Sequence, residues 1–119
     1  MNDRELLELA AKAVGIKVFW GHPGSCQNSS EKLYRELVGR IMYTAPEWNP
    51  LTDDGDALRL AESLGLTICM NGSGTVSASD DYDKTVFATQ SINECSGNRL
   101  TATRRAVVRA AAEIGRKMK

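Results

Sequence analysis

Trp48 and Asn49 stand side by side in a proline-flanked loop, and Arg104 and Arg105 stand side by side near the start of a long helical pattern. Their chemistry is complementary. An indole ring can stack on a flat ligand such as a nucleobase while an asparagine amide offers a paired donor and acceptor. Two guanidiniums can fork onto a phosphate, above all beside the free N–H groups of a helix start. Each pair also has a purely structural reading. Trp48 can plug the edge of a core with Pro50 fixing the loop.

The arginines pose an electrostatic question. Placed in the first turn of a helix spanning about 102–118, with Thr101 or Thr103 as its cap, they meet the end where the macrodipole disfavours cations by roughly 0.3–1 kcal/mol each. An anion must then hold them. It is either internal, from Asp53, Asp54, Asp56 or the D-D-Y-D segment at 80–83, or a bound phosphate. From Arg99 onward seven cations face a single acid, Glu113, so this end of a neutral chain is locally positive. Arg109 joins the candidate ligand contacts. So do Trp20, at the end of a short strand, and His22, in the G-H-P-G-S-C loop beyond it, which reads as ordinary turns or as a backbone nest for an anion.

Catalytic and metal chemistry find little support. His22 is the only histidine, and Ser25 and Ser29 lie near it with nothing to orient a triad. Cys26, Cys69 and Cys95 have no C-x-x-C spacing, which argues against zinc; reduced thiols are expected, with Cys69 a small core residue in a strand. The aspartates of W-N-P-L-T-D-D-G-D fail as a calcium loop, because position twelve is Leu64 or Gly65 instead of glutamate. They read as a helix start: Thr52 or Asp53 as cap, Asp54 and Asp56 in the first turn. No catalytic residue, metal or cofactor is expected.

The elements that must position these residues follow from periodicity. At 119 residues, 42% hydrophobic and 25% charged, the chain is expected to form one globular domain over 1–119. Fifteen cations balance fifteen acids, which argues against nucleic acid or membrane as partner. The apolar runs are too short to cross a bilayer, and the acidic opening lacks a signal-peptide core, so a cytoplasmic location is expected. Residues 3–14 read as a helix with Leu6, Leu9, Ala10, Ala13 and Val14 on one face, closed by Gly15. I-K-V-F-W reads as a strand, and 31–43 as a helical turn or two through Leu33, Leu37 and Met42. A helix follows over 53–64, then strands in L-T-I-C-M-N, T-V-S-A-S and K-T-V-F-A-T-Q, then the final helix. The class is α/β: an α-β-α sandwich with a short antiparallel or mixed sheet and three main helices.

W-N-P-L-T-D-D-G-D-A-L-R-L-A-E-S-L-G-L and T-A-T-R-R-A-V-V-R-A-A-A-E-I-G-R-K-M together resemble the phage ABA-sandwich domain family. The opening helix that ends in V-G-I before a strand also fits. Residues 21–47 and 71–98 carry no part of the likeness. The resemblance implies an α/β sandwich and a phage accessory role, and no shared chemistry. Joined to the residue pairs above, it leads to the expectation of a non-enzymatic protein that sequesters a small anionic, nucleotide-like ligand against host immune signalling. A homo-oligomer is expected, since a small chain encloses a ligand best at a subunit interface. The competing expectation is an inhibitor or adaptor of a host or phage protein, docking through the 21–50 loop with Trp20, Tyr43 and Trp48 as anchors.

Overall fold

Asn2 starts the first helix: its Oδ1 accepts from the Glu5 N–H at 2.8 Å, and α1 (Asp3–Val14) runs to Gly15, whose φ of 74° lets the chain reverse. In the computed structural model the described residues are 2–21, 31–35, 47–69, 74–80, 87–92 and 97–118. The core-facing side of α1 is Leu6, Leu7, Ala10 and Ala11, with Leu9 and Val14 only partly covered. That is rotated from the expected stripe, because α3 and, more narrowly, α2 pack against the helix.

β1 (Val18–Gly21) pairs antiparallel with β2 (Lys32–Arg35), Trp20 opposite Leu33 and Val18 opposite Arg35. A strand over 32–35 replaces the helical turn expected from Leu33 and Leu37. K-L-Y-R alternates with period two, so buried Leu33 faces the core while Tyr34 stacks on Phe19 on the other side at 5.6 Å between ring centres. The remainder of that expectation, including Leu37 and Met42, lies outside the described residues.

Asp53 caps α2 (Asp54–Leu64) with its own side chain, as the sequence led one to expect, and Gly65 ends it at φ 64°. Three strands follow: β3 (Leu66–Cys69), β4 (Thr75–Asp80) and β5 (Phe87–Ser91), antiparallel in that order. Leu66, Ile68, Val76, Ala78 and Ala88 lie on the helix-facing side. Alternation therefore sends Thr67, Cys69, Ser77 and Thr89 to the other face. Cys69 is exposed, which corrects its expected place in the core: it is one residue out of phase with Ile68.

The last helix, α3 (Arg99–Lys117), begins three residues earlier than the sequence suggested. Asn98 is the cap, its Oδ1 accepting from the Thr101 N–H at 3.1 Å, so Thr101 and Thr103 lie inside the helix. α3 is covered on two sides. Ala102, Ala106 and Ala110 meet the three-stranded sheet, while Val107, Val108, Ala111 and Ala112 meet α1 and α2. The α/β class with three main helices is as expected; among the described residues there are two small antiparallel sheets instead of one, and the three-stranded sheet is covered by α3 on one face in place of the expected α-β-α order. The layers run three-stranded sheet, α3, then α1 with α2.

Small residues allow α3 to approach α1 closely. A Cβ placed on Gly115 would collide with the Leu9 carbonyl on α1, which is backbone and cannot rotate away. Gly115→Ala is therefore expected to force the two helices apart. It should destabilise by roughly 1–3 kcal/mol as an overpacked site, despite alanine being the better helix former. Urea unfolding of the variant checks this, and an unchanged or raised midpoint would refute the close approach.

Candidate functional site

Trp48 is placed by backbone pairing. Glu47 bridges to Tyr34, and the Trp48 N–H donates to the Leu33 carbonyl at 2.9 Å, so the 47–48 segment lies along β2. The indole is 5% exposed and belongs to the core cluster with Leu33, Leu60 and Ala61. It is a plug, and the open ring face that stacking on a ligand would need is not presented. Asn49 then turns the chain. Its Oδ1 accepts from the Leu51 N–H at 3.1 Å, and its carbonyl accepts from Thr52 and Asp53.

Asp56 ties this turn to the helix behind it. It is buried, one oxygen accepting the Asn49 N–H at 3.0 Å and the other accepting from Arg59 Nη2 at 2.8 Å. Arg59 also lies 3.9 Å from Asp53 Oδ2. A two-lobed cleft opens beside these groups. The larger lobe, about 540 Å³, lies among Glu47, Asn49, Thr52, Asp53 and Asp56. The smaller, about 250 Å³, is walled by Val14, Ile16 and Leu60, with Glu62 and Ser63 beside them. Arg35, Trp48 and Arg59 line both.

Arg35 reaches the cleft through strand parity. It is two residues beyond Leu33 and shares its core-facing side, but sits where the strand leaves the core. Among the described residues the Arg35 guanidinium makes no ion pair or hydrogen bond, whereas Glu47 pairs with Lys32 at 3.6 Å. Sequence reasoning missed both Arg35 and Arg59. Arg59 had a legible signal, three residues after Asp56 on one helix face; Arg35 had none once 31–43 was read as helical.

The arginines of α3 lie elsewhere. Because Asn98 starts the helix, Arg104 and Arg105 fall in its second turn, so the first-turn dipole argument does not apply to them; the first-turn cation is Arg99. Each of the three guanidinium nitrogens of Arg104 donates to the protein: Nε to the Leu51 carbonyl at 2.9 Å, Nη1 to Asp54 at 2.6 Å and Nη2 to the Thr101 hydroxyl at 3.1 Å. Arg105 pairs with Asp3 at 2.8 Å, and Arg109 donates to the Thr89 carbonyl and to Gln90 Oε1. Trp20 is covered by Arg4, 4.3 Å above its ring, and its Nε1 donates to Glu8 at 2.9 Å. Of the expected contacts, the structure brings Trp48 and Asn49 to the cleft. It places Arg104, Arg105, Arg109 and Trp20 in other contacts. His22, Tyr43, the G-H-P-G-S-C loop and most of the D-D-Y-D segment lie outside the described residues.

No helix of the described residues is long and apolar enough to cross a membrane, and no group of three or more His, Cys, Asp or Glu among them converges as a metal site. Comparison with family models, with curated proteins and with solved structures returns no match.

Two outcomes follow. Trp48→Ala should lower stability by about 3–5 kcal/mol, as for other buried rings, measured by urea unfolding; a loss below ~1 kcal/mol would show that the ring is not a core plug. Arg104→Glu with Arg105→Glu should lower the ligand-free melting temperature, because it sets carboxylates against Asp54 and Asp3 and strands the Leu51 carbonyl. The Arg104 contacts alone are worth roughly 1–3 kcal/mol. An unchanged midpoint would mean that those internal bonds contribute nothing and would return the pair to candidacy as an anion site.

Proposed function

We propose that this protein is a non-enzymatic phage accessory protein that sequesters a small anionic, nucleotide-like ligand, acting against host immune signalling in the host cytoplasm, and that it works as a homo-oligomer. The observation that carries the ligand reading is the Trp48 cleft. Its larger lobe falls within the roughly 300–1,000 Å³ of small-molecule sites, at about 540 Å³. Arg35, whose guanidinium makes no ion pair among the described residues, lines both lobes together with Arg59. A phosphate between two guanidiniums gains charge-assisted, bidentate bonds that no neutral ligand can make. The phage role is supported by the likeness of segments 48–66 and 101–118 to the ABA-sandwich family.

Relocating the anion contact from α3 to the cleft keeps the proposed ligand class and changes the residues that hold it. Asp56 holds the Asn49 turn and pairs with Arg59 before any ligand arrives, so this part of the wall needs less ordering on binding. Isothermal titration against a panel of linear and cyclic nucleotides tests this, with mass spectrometry of the recovered ligand. Binding with the ligand recovered intact is expected, and Arg35→Glu should weaken it about tenfold or more while leaving the melting temperature unchanged. Absence of heat with every nucleotide, or recovery of a converted product, would overturn the proposal.

A further inference from the structure

Resting on the anion reading of the Trp48 cleft, we infer that its ligand carries one anionic group and a neutral end rich in hydrogen-bond donors, as a nucleoside monophosphate does, and that the acids of the larger lobe select against polyphosphates. The acids of the cleft are unevenly divided. Arg35 and Arg59 line both lobes, whereas Glu47, Asp53 and Asp56 line the larger lobe alone and Glu62 the smaller. Asp56 is satisfied on both oxygens, by the Asn49 N–H and by Arg59.

The other two acids keep capacity. Glu47 touches Lys32 through Oε2 at 3.6 Å, and Asp53 uses Oδ2 for the helix cap. Among the described residues their second oxygens carry no hydrogen bond, and their side chains are 44% and 58% exposed. Ionised carboxylates only accept hydrogen bonds, so what fits between them must donate. Sugar hydroxyls and ring amines donate; a second or third phosphate brings only acceptors and like charge. With a phosphate at Arg35 and Arg59, each further phosphate would either enter the acid-lined lobe or extend into solvent.

The test is a titration series with adenosine mono-, di- and triphosphate, and with phenyl phosphate as an anion whose ring has no donors. The monophosphate should bind most tightly, with about fivefold loss for each added phosphate, the size of an exposed like-charge contact. Phenyl phosphate should also bind about fivefold more weakly than the nucleoside monophosphate. In Glu47→Gln with Asp53→Asn the mono- to triphosphate affinity ratio should fall towards one; asparagine preserves the helix cap, so the fold is kept. Affinity that rises with phosphate number, equal binding of phenyl phosphate, or a ratio unmoved by the double variant each overturns the selection by the lobe acids and leaves the anion cleft standing. Failure of all four probes to bind removes both together.

Discussion

The closeness of α3 to α1 is the constraint on which the rest of the structure depends. A helix that must serve as wall to a sheet on one side and to two helices on the other cannot carry large residues on both. Along α3 the buried positions are alanines, two valines and Gly115. The largest wholly buried side chains of the described residues are correspondingly small, valines and Pro50. Alanine also has the highest helix propensity, so the composition that permits close packing stabilises the helix that must pack. The consequence for function is geometric. Among the described residues the core is filled by such small, closely spaced side chains, and the Trp48 cleft lies at its rim, where the chain turns into α2.

Close packing of small residues sets distance better than angle or register, and the charged residues of α3 supply the missing specification. Each of three arginines fastens the helix to a different neighbour. Arg104 holds the Leu51 carbonyl and Asp54 at the start of α2, Arg105 holds Asp3 at the start of α1, and Arg109 holds the Thr89 carbonyl and Gln90 on β5. Exposed ion pairs add little stability singly, but forked guanidiniums on fixed acceptors admit few arrangements. The cationic run that looked like an anion cradle is thus a set of fastenings.

What the sequence made legible was whatever depends on neighbours along the chain. The αL glycines at 15 and 65 and the Asp53 cap follow from such local rules, as do Ala57, Leu60 and Ala61 on the buried face of α2, whereas Leu58, expected beside them, is exposed. Longer-range contacts decided three further readings: two failed, and of the third only the internal partner of Arg104, Asp54, was among those expected. Leu33 and Leu37 share a helical spacing, but pairing with β1 made 32–35 a strand. Cys69 looked apolar enough for the core, yet strand register placed it outside. R-R-A-V-V-R announced three cations without saying which acid each would meet, because Asp3 and Asp54 are distant in sequence. For the site, Trp48 and Asn49 were visible as an odd dipeptide in a turn, while Arg35 became visible only once strand parity was known.

The same short turn that builds the cleft also starts α2. Asn49, Asp53 and Asp56 together make the turn, the cap and the tie to Arg59; each accepts from a backbone N–H, and Asp56 accepts from the Arg59 guanidinium as well. A carboxylate buried as deeply as Asp56 is tolerable only while both of its partners remain, so disturbing the cleft wall there also disturbs the start of α2. Glu47 and Arg35 are under no such obligation: one makes a single exposed ion pair and the other makes none among the described residues. Arg35 and Glu47 can therefore change without disturbing the start of α2, whereas Asp56 cannot.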